Sequence, residues 1–328
     1  WMPRTLARSS APVNPASALR NAFSPAAPSV ADALAAGATP SRLRALDLVR
    51  PFHGVRQRAA VVEAHDASPE AALLRLIAQY ACRMTEHGFF SHTAAAVLWG
   101  LPLPIASLRA GSLDVSVFAP RRAPAAAGVS GHSVTPGLAH VVTHPVRGVR
   151  VSTPASTVAL LAGRVPHAYD LVALADAAVR EPLHRRDPPA LTSLESLTSA
   201  LDAGRRVGRD RLRAALPRVS TRTRSRAETW LRLTVIDAGL PQPEVNYDVI
   251  EGGRWLGQVD LAYPELRIAI EYEGEHHLTD PLQWAEDIAR MDRLVEAGWR
   301  VIRVTKSDVF GDPSALIERI ARAFARRR

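Results

Sequence analysis

The stretch LRIAIEYEG, residues 266–274, constrains this chain more than any other. It opens as an apolar strand of the kind that is buried, then runs directly into acids. Side chains alternate along a strand, so Ile268, Ile270 and Tyr272 face one way and Ala269, Glu271 and Glu273 the other. Two carboxylates on one face of a buried strand repel each other, and desolvating them is costly without a cation or solvent to compensate. A fold for the last third of the chain must therefore put the end of this strand beside something that answers the charge.

The surroundings suggest how. SRAETWLRLTVIDAG reads as a helix with Ser225 as cap and Glu228 three residues later. VNYDVI and GQVDLAYP follow as strands, and a turn at Pro264–Glu265 can bring Asp260 opposite Glu271. DPLQWAEDIARMDRLVEAG is an amphipathic helix opened by Asp280–Pro281, WRVIRVT a last strand, and PSALIERIARAFARRR a basic closing helix. The order α-β-β-β-α-β-α predicts a mixed sheet flanked by helices. An Asp and one or two Glu at a sheet end form an oxygen-rich site suited to Mg²⁺ or Mn²⁺. Such a site serves phosphodiester hydrolysis, with His276 and His277 close in sequence as proton donor or further ligand. Plainer readings stand beside these. Glu228 is also the third-position partner of Ser225 in a capping box. Asp287, Arg290 and Asp292 can be ion pairs on a solvated helix face, and the strand acids an accidental polar face.

Charge divides the chain. Its 41 Lys and Arg against 32 Asp and Glu give +9, and Lys306 is the single lysine. Residues 221–328 carry 16 basic and 18 acidic residues, net −2, leaving 25 and 14, net +11, for residues 1–220. Arginine pairs phosphate bidentately, so the surplus points to a polyanion-docking front followed by a part with another job, although an Arg-rich coding bias gives the same total. The lone cysteine, Cys82, excludes a disulfide-built secreted scaffold and a Cys-rich zinc module. No apolar run reaches the ~20 residues of a membrane helix, and the expected compartment is the cytoplasm.

Residues 1–28, Ala-, Ser- and Pro-rich without an acid, are expected to be a disordered tail; with Trp1 ahead of Met2, the natural start is expected elsewhere. In 29–69, SVADALAAG predicts a helix ended by Gly37 and TPSRLRALD a second helix capped by Thr39. LVRPFHGVRQ then gives a small hairpin. That is the order of a winged helix-turn-helix, which would place Arg42 and Arg44 on the groove-reading helix and Arg50, Arg56 and Arg58 on or beside the wing. A small helical hairpin with a solvated arginine face is the alternative.

Residues 70–182 read as an α/β domain. AALLRLIAQYACRM predicts a helix with Leu73, Leu74, Ile77 and Ala81 on one face, SHTAAAVLWG a helix capped by Ser91, and LDVSVFAP a strand. The histidines here, His87, His92, His132, His140 and His144, are expected to be turn or core residues rather than metal ligands. Residues 183–224, with HRRDPP, GRRVGRDRLR and RVSTRTRSR, predict a basic helical connector that tracks a nucleic-acid backbone or serves as a solvated spacer.

The run E-T-W-L-R, V-D-L-A-Y-P, I-E-Y-E-G-E-H-H, D-I-A-R and W-R-V-I-R-V resembles the very-short-patch-repair (Vsr)-like endonuclease domains of the PD-(D/E)xK superfamily, over about residues 220–328. The resemblance implies a restriction-endonuclease-like fold and a Mg²⁺-dependent endonuclease. Asp260 would be the metal-binding aspartate, Glu271 the second acid, Glu228 the helix glutamate, and His277 the histidine after the glycine. Asp287, Arg290 and Arg303 would be the polar residues behind the site, with Arg290 and Arg303 also binding the DNA backbone. Glu273 stands where the superfamily usually has lysine, a departure for which Lys306 of the last strand is the candidate substitute. Upstream, VADALAAGATPSRLRALDLVRPFHGVR, SHTAAAVLWGLPLP and VRVSTPASTVALLA resemble the AbiEi-type antitoxins of type IV toxin–antitoxin systems over about residues 29–180. That likeness implies a winged helix ahead of an α/β domain, DNA binding, autorepression and a cognate toxin as a partner.

The expectation is thus an α/β protein: a DNA-docking front, 29–182, a connector, 183–224, and an endonuclease domain, 225–328, holding Mg²⁺ or Mn²⁺ at Asp260, Glu271 and Glu228. The rival is a non-enzymatic DNA-binding antitoxin or transcriptional regulator with a degenerate nuclease fold. Oligomeric state and DNA specificity have no signature in the sequence.

Overall fold

The computed structural model describes residues 29–58, 68–108, 112–274 and 281–327, with backbone alone at 58 and 281–285. The chain is α/β, with two mixed sheets, and divides into two compact units. The expected tail, 1–28, lies outside the described residues.

The first unit comprises the chain up to Leu98 together with 105–136 and 141–152. Helix α1 (Val30–Ala35) starts at Ser29, whose hydroxyl accepts the Asp32 N–H at 3.0 Å. The second helix expected from Thr39 is reduced to a single 3₁₀ turn, Arg42–Arg44. Thr39 does accept the Arg42 N–H, at 3.1 Å, but Ala45 returns to extended backbone. Leu43 is the turn's buried residue and Leu46 is fully exposed, so no apolar stripe exists to hold further helical turns. Strands β1 (Leu48–Val49) and β2 (Gln57–Arg58) pair antiparallel as the expected hairpin.

Helix α2 (Pro69–Ala81), capped by Ser68, buries Leu73, Leu74, Ile77 and Tyr80. A five-stranded sheet follows from β3 (Phe89–Phe90), β4 (Leu113–Phe118), β5 (Val129–Val134), β6 (Val141–Thr143) and β7 (Arg150–Ser152), in the order β5-β4-β3-β7-β6. β4–β5 and β3–β7 are parallel, and β3–β4 and β6–β7 antiparallel. Helix α3 (His92–Trp99) leaves β3 directly, and α4 (Ile105–Leu108) precedes β4. Phe89, Phe90, Leu113, Val115 and Val151 are fully buried, which explains why these short strands persist.

The second unit comprises 99–104, 137–140 and 153 onward. Helices α5 (Pro154–Leu161), α6 (Ala168–Val179), α7 (Leu194–Asp202) and α8 (Arg209–Ala215) lead to α9 (Arg226–Asp237). Segment 183–224 carries α7 and α8, which bury Leu197, Leu201 and Leu212, so it is packed along this part of its length. Strands β8 (Glu244–Glu251), β9 (Arg254–Tyr263) and β10 (Ile268–Tyr272) form an antiparallel meander. Helix α10 (Pro281–Glu296) crosses to β11 (Arg300–Val304), parallel to β10, as a parallel pair requires. Short α11 (Lys306–Phe310) and α12 (Ser314–Ala325) close the chain, and the sheet order is β11-β10-β9-β8.

The alternation read from LRIAI sets the two faces of this sheet. Ile268 and Ile270 pack with Leu231 and Val235 of α9 and Leu316, Ile320 and Phe324 of α12. Ala269 packs on the opposite face with Val259, Leu294 and Trp299. Glu271 follows Ala269 in that alternation and so emerges on the side of α10.

Candidate functional site

The register of the β9–β10 pair brings the two predicted acids together. Pairing runs Ile268↔Tyr263, Ala269↔Ala262, Ile270↔Leu261, and one further step sets Asp260 against Glu271. Just past the last pair of the ladder, the Asp260 carboxylate crosses over and accepts the Tyr272 N–H at 2.7 Å. Glu271 is buried, and Arg290 of α10 donates to its Oε1 at 2.6 Å. The same Arg290 nitrogen reaches the Gln258 carbonyl at 2.9 Å, and its other terminal nitrogen lies 3.6 Å from Asp287. Arg290 thereby ties α10 to both strands. Gly257 makes room for it, since a Cβ there would stand 2.7 Å from the Arg290 side chain.

Glu228 enters from α9. Ser225 accepts the Glu228 N–H at 3.1 Å, the first arm of the expected capping box. The return arm goes elsewhere: Glu228 Oε2 accepts from the Arg224 N–H at 2.9 Å and from Asn246 Nδ2 at 2.8 Å. The carboxylate is thus buried and held by donors one residue ahead of the cap and across on β8.

Burial raises the Asp260 carboxyl well above the usual range, and the negative fields of Glu228 and Glu271 raise it further. The Tyr272 N–H and Arg290 pull only partly the other way. Glu271 is also raised, by burial first, with Arg290 opposing and Asp287 and Glu228 adding. These acids feel one another, and a proton or a cation is the natural counterweight to the uncompensated charge.

A cleft of about 1550 Å³ opens beside them, lined among others by Asp260, Glu271, Glu273, Arg290, Arg303 and Lys306. Glu273 forms an ion pair with Arg303 of β11, and Lys306 opens α11 immediately after the capping residue Thr305. Five of the six predicted catalytic or metal residues are described: Asp260 and Glu271 stand at the cleft, Glu228 behind them, and Glu273 and Lys306 on its lining. His277, with His276, lies outside the described residues. Asn246, which fixes Glu228, was not singled out by sequence; its backbone is left-handed, φ 47°, within a strand.

The predicted DNA-contacting arginines of the front have mixed surroundings. Arg42 forms a two-pronged pair with Asp47 at 2.6 and 2.8 Å. Arg56 donates to the Leu43 and Val55 carbonyls at 2.7 and 2.9 Å, which binds the 3₁₀ turn to the hairpin. Arg44 and Arg50 are exposed.

The first unit holds a second polar cluster, two of whose members, His92 and His132, were expected to be turn or core histidines, while Asp114 was not singled out by sequence. His92, Asp114 and His132 converge, with one ligand atom of each within 4.8 Å of the others. His144, by contrast, is the expected core and turn histidine: buried, it accepts the Val146 and Arg147 N–H groups on Nδ1, and burial lowers its pKa.

No protein-family model matches the chain, and no solved structure matches it significantly. The chain is similar to two uncharacterized proteins of Mycobacterium tuberculosis, from two strains, at 37% identity over 116 residues in each case. That similarity covers 35% of this chain and 43% of each relative, so the chain spans less than half the length of the curated relatives it matches. No helix among the described residues is long and apolar enough to cross a membrane.

Proposed function

We propose that this chain is a cytoplasmic DNA-binding protein whose C-terminal part is a Vsr-like, PD-(D/E)xK-type endonuclease domain that hydrolyses DNA phosphodiester bonds with Mg²⁺ or Mn²⁺. In this reading the front is AbiEi-like, with a winged helix at 29–69 for docking. The observation that carries the proposal is the placing of Asp260 against Glu271 across β9 and β10, at a cleft, with buried Glu228 raising their proton affinity.

The residues fit a hard divalent cation. Their donors are carboxylate oxygens, and their negative charge exceeds what Arg290 neutralises. Asp260 and Glu271 would hold the ion, with Glu228 behind them; bound there, it would polarise the scissile phosphate and lower the pKa of a water. Arg303 and Lys306, at the lining, would engage the phosphate backbone as cationic donors. Glu273 and Lys306 would move protons at the attacking and leaving oxygens, with His277 as the third candidate.

The test is cleavage of supercoiled, linear and mismatched DNA by wild type and Asp260→Ala with Mg²⁺ or Mn²⁺. Wild type is expected to cut, and the variant to lose cutting about 100-fold or more while keeping salt-sensitive binding. Folded wild-type protein that leaves every DNA form intact would overturn the enzymatic reading. A second reading, a regulator or antitoxin with a degenerate nuclease fold and a cognate toxin as partner, is favoured by one specific feature. The position expected to carry lysine holds Glu273, and its partner Arg303 spends a cation on it. DNA binding without cleavage is the outcome that selects it.

A further inference from the structure

We propose that His92, Asp114 and His132 form a binding site for a divalent transition-metal ion of the Zn²⁺ class, separate from the carboxylate cleft. Two imidazoles and one carboxylate are the donor set that such ions prefer over Mg²⁺. The three side chains come from different elements of one unit. His92 opens α3, Asp114 lies on β4, and His132 lies on the neighbouring parallel strand β5. Residues 114, 116 and 132 share a face of the sheet, because 114 and 116 are two apart and Ser116 pairs with His132.

The surrounding hydrogen bonds orient these donors. Asp114 is buried, and its Oδ2 accepts the Thr93 N–H at 3.2 Å. That contact corrects the expectation that Ser91 caps α3: the first-turn N–H is taken by an acid from β4, a partner no local sequence pattern could indicate. The Ser91 hydroxyl turns instead to His92 Nδ1 at 2.9 Å and to Ser116 Oγ at 2.6 Å. The Ser91 contact at Nδ1 orients the His92 ring, as outer-shell donors orient metal-binding histidines. Asp114 Oδ1 is turned to His132 Nε2 at 2.7 Å, and the two imidazole rings lie 4.2 Å apart, centre to centre.

The geometry is close to closed for such an ion. Zn–N and Zn–O bonds of about 2.1 Å at a tetrahedral angle separate donor atoms by about 3.4 Å. The His132–Asp114 contact at 2.7 Å has only to open by roughly 0.7 Å, the ion replacing the proton between them. His132, with 26% of its side chain exposed, can make that movement and marks the side from which an ion enters. The backbone at this point is itself unusual: His92 is left-handed, φ 46°, uncommon for a residue with a side chain and concentrated at ligand sites. Three protein ligands leave at least one coordination position for water or a substrate oxygen, the pattern of an open rather than a closed zinc site.

The experiment uses the full chain, stripped with chelator, in the Asp260→Asn background so that the carboxylate cleft does not contribute. Zn²⁺ is titrated by calorimetry, and Co²⁺ by its visible d–d absorption. One saturable equivalent is expected, with a band of four- or five-coordinate Co²⁺. His132→Gln and Asp114→Asn should each weaken binding about 100-fold or more, and Ser91→Ala, which removes the contact that orients the His92 ring, about tenfold. Circular dichroism checks the fold, and His132→Gln, at the exposed rim, serves if Asp114→Asn does not fold. Absence of saturable binding, or binding unchanged in folded His132→Gln, would overturn the site.

Discussion

Replacing Asp176 by alanine should unfasten helix α6 from α9 and lower the stability of the second unit by about 3–5 kcal/mol. Asp176 and Arg232 are both almost wholly buried and meet at 3.1 Å. The carboxylate also accepts the Thr229 hydroxyl and the Ser220 N–H, each at 2.8 Å. Arg232 in turn donates to the Arg218 carbonyl at 2.8 Å. Burial raises the Asp176 pKa while Arg232, the Ser220 N–H and Thr229 oppose that rise, so the carboxylate depends on its partners. Alanine removes the carboxylate that answers the charge of a buried guanidinium and strands an N–H beside it. For a unit of this size the midpoint of thermal unfolding should fall by about 6–20 °C. The assay is urea and thermal unfolding followed by tryptophan fluorescence, since Trp230 and Trp299 belong to this unit. The control is the pair Asp176→Leu with Arg232→Met, which deletes both charges. It should recover most of the loss and leave about 1–3 kcal/mol for the orphaned Ser220 N–H. A loss below about 1 kcal/mol in Asp176→Ala, or a double variant no better than the single one, would refute the reasoning.

The carboxylate cleft carries a prediction on pH. Burial, with Glu228 and Glu271, puts the folded-state pKa of Asp260 above its unfolded value, so the folded chain holds that proton more tightly. Stability should therefore decline as pH rises from about 4 through the raised pKa, and Asp260→Asn should be more stable than wild type near neutrality, the difference vanishing toward pH 4. Melting curves in chelator across this range check it, and a variant less stable than wild type near neutrality contradicts it. Burial, then the 2.5 Å hydrogen bond to Asp237, pushes the Tyr169 phenol up to about 12. Ultraviolet titration should show a phenol ionising there that Tyr169→Phe removes, and an unchanged titration curve would contradict the assignment.

What could be read from the sequence follows the range of the interactions involved. The alternation in LRIAI and the punctuation around it are local, and they foretold the element order from Arg226 to Val304, though not the short helix Lys306–Phe310, and the sides on which Ile268, Ile270 and Ala269 pack. Asp260 and Glu271 were within reach because a single tight turn separates their strands. The His92–Asp114–His132 cluster was not, because it depends on a parallel register between β4 and β5 and on a helix start that borrows its cap from β4. Spacing along the chain carries no trace of such pairing. The same limit applies to 183–224, whose arginines suggested a helical connector, tracking a nucleic-acid backbone or solvated, while Leu197, Leu201 and Leu212 were the residues buried by its helices.

Arg290 decides how the cleft is best tested. It is a cation in direct contact with Glu271, and on that ground alone the site could be taken for a structural ion pair. A self-sufficient pair would leave both partners neutralised, yet both acids stay raised: burial is the first cause for each, Glu228 and Glu271 add to it at Asp260, Glu228 and Asp287 add to it at Glu271, and Arg290 pulls only partly the other way. The same guanidinium also holds the Gln258 carbonyl and so braces β9 against α10. Its removal would disturb metal binding, acid placement and strand packing at once, and could not separate an enzyme from a degenerate fold. Asp260 has a narrower set of contacts, with the Tyr272 N–H as its hydrogen bond and the cleft before it. Asparagine there keeps an oxygen for that N–H and discards only the charge, so a loss of cleavage in a variant at least as stable as wild type assigns the charge to function.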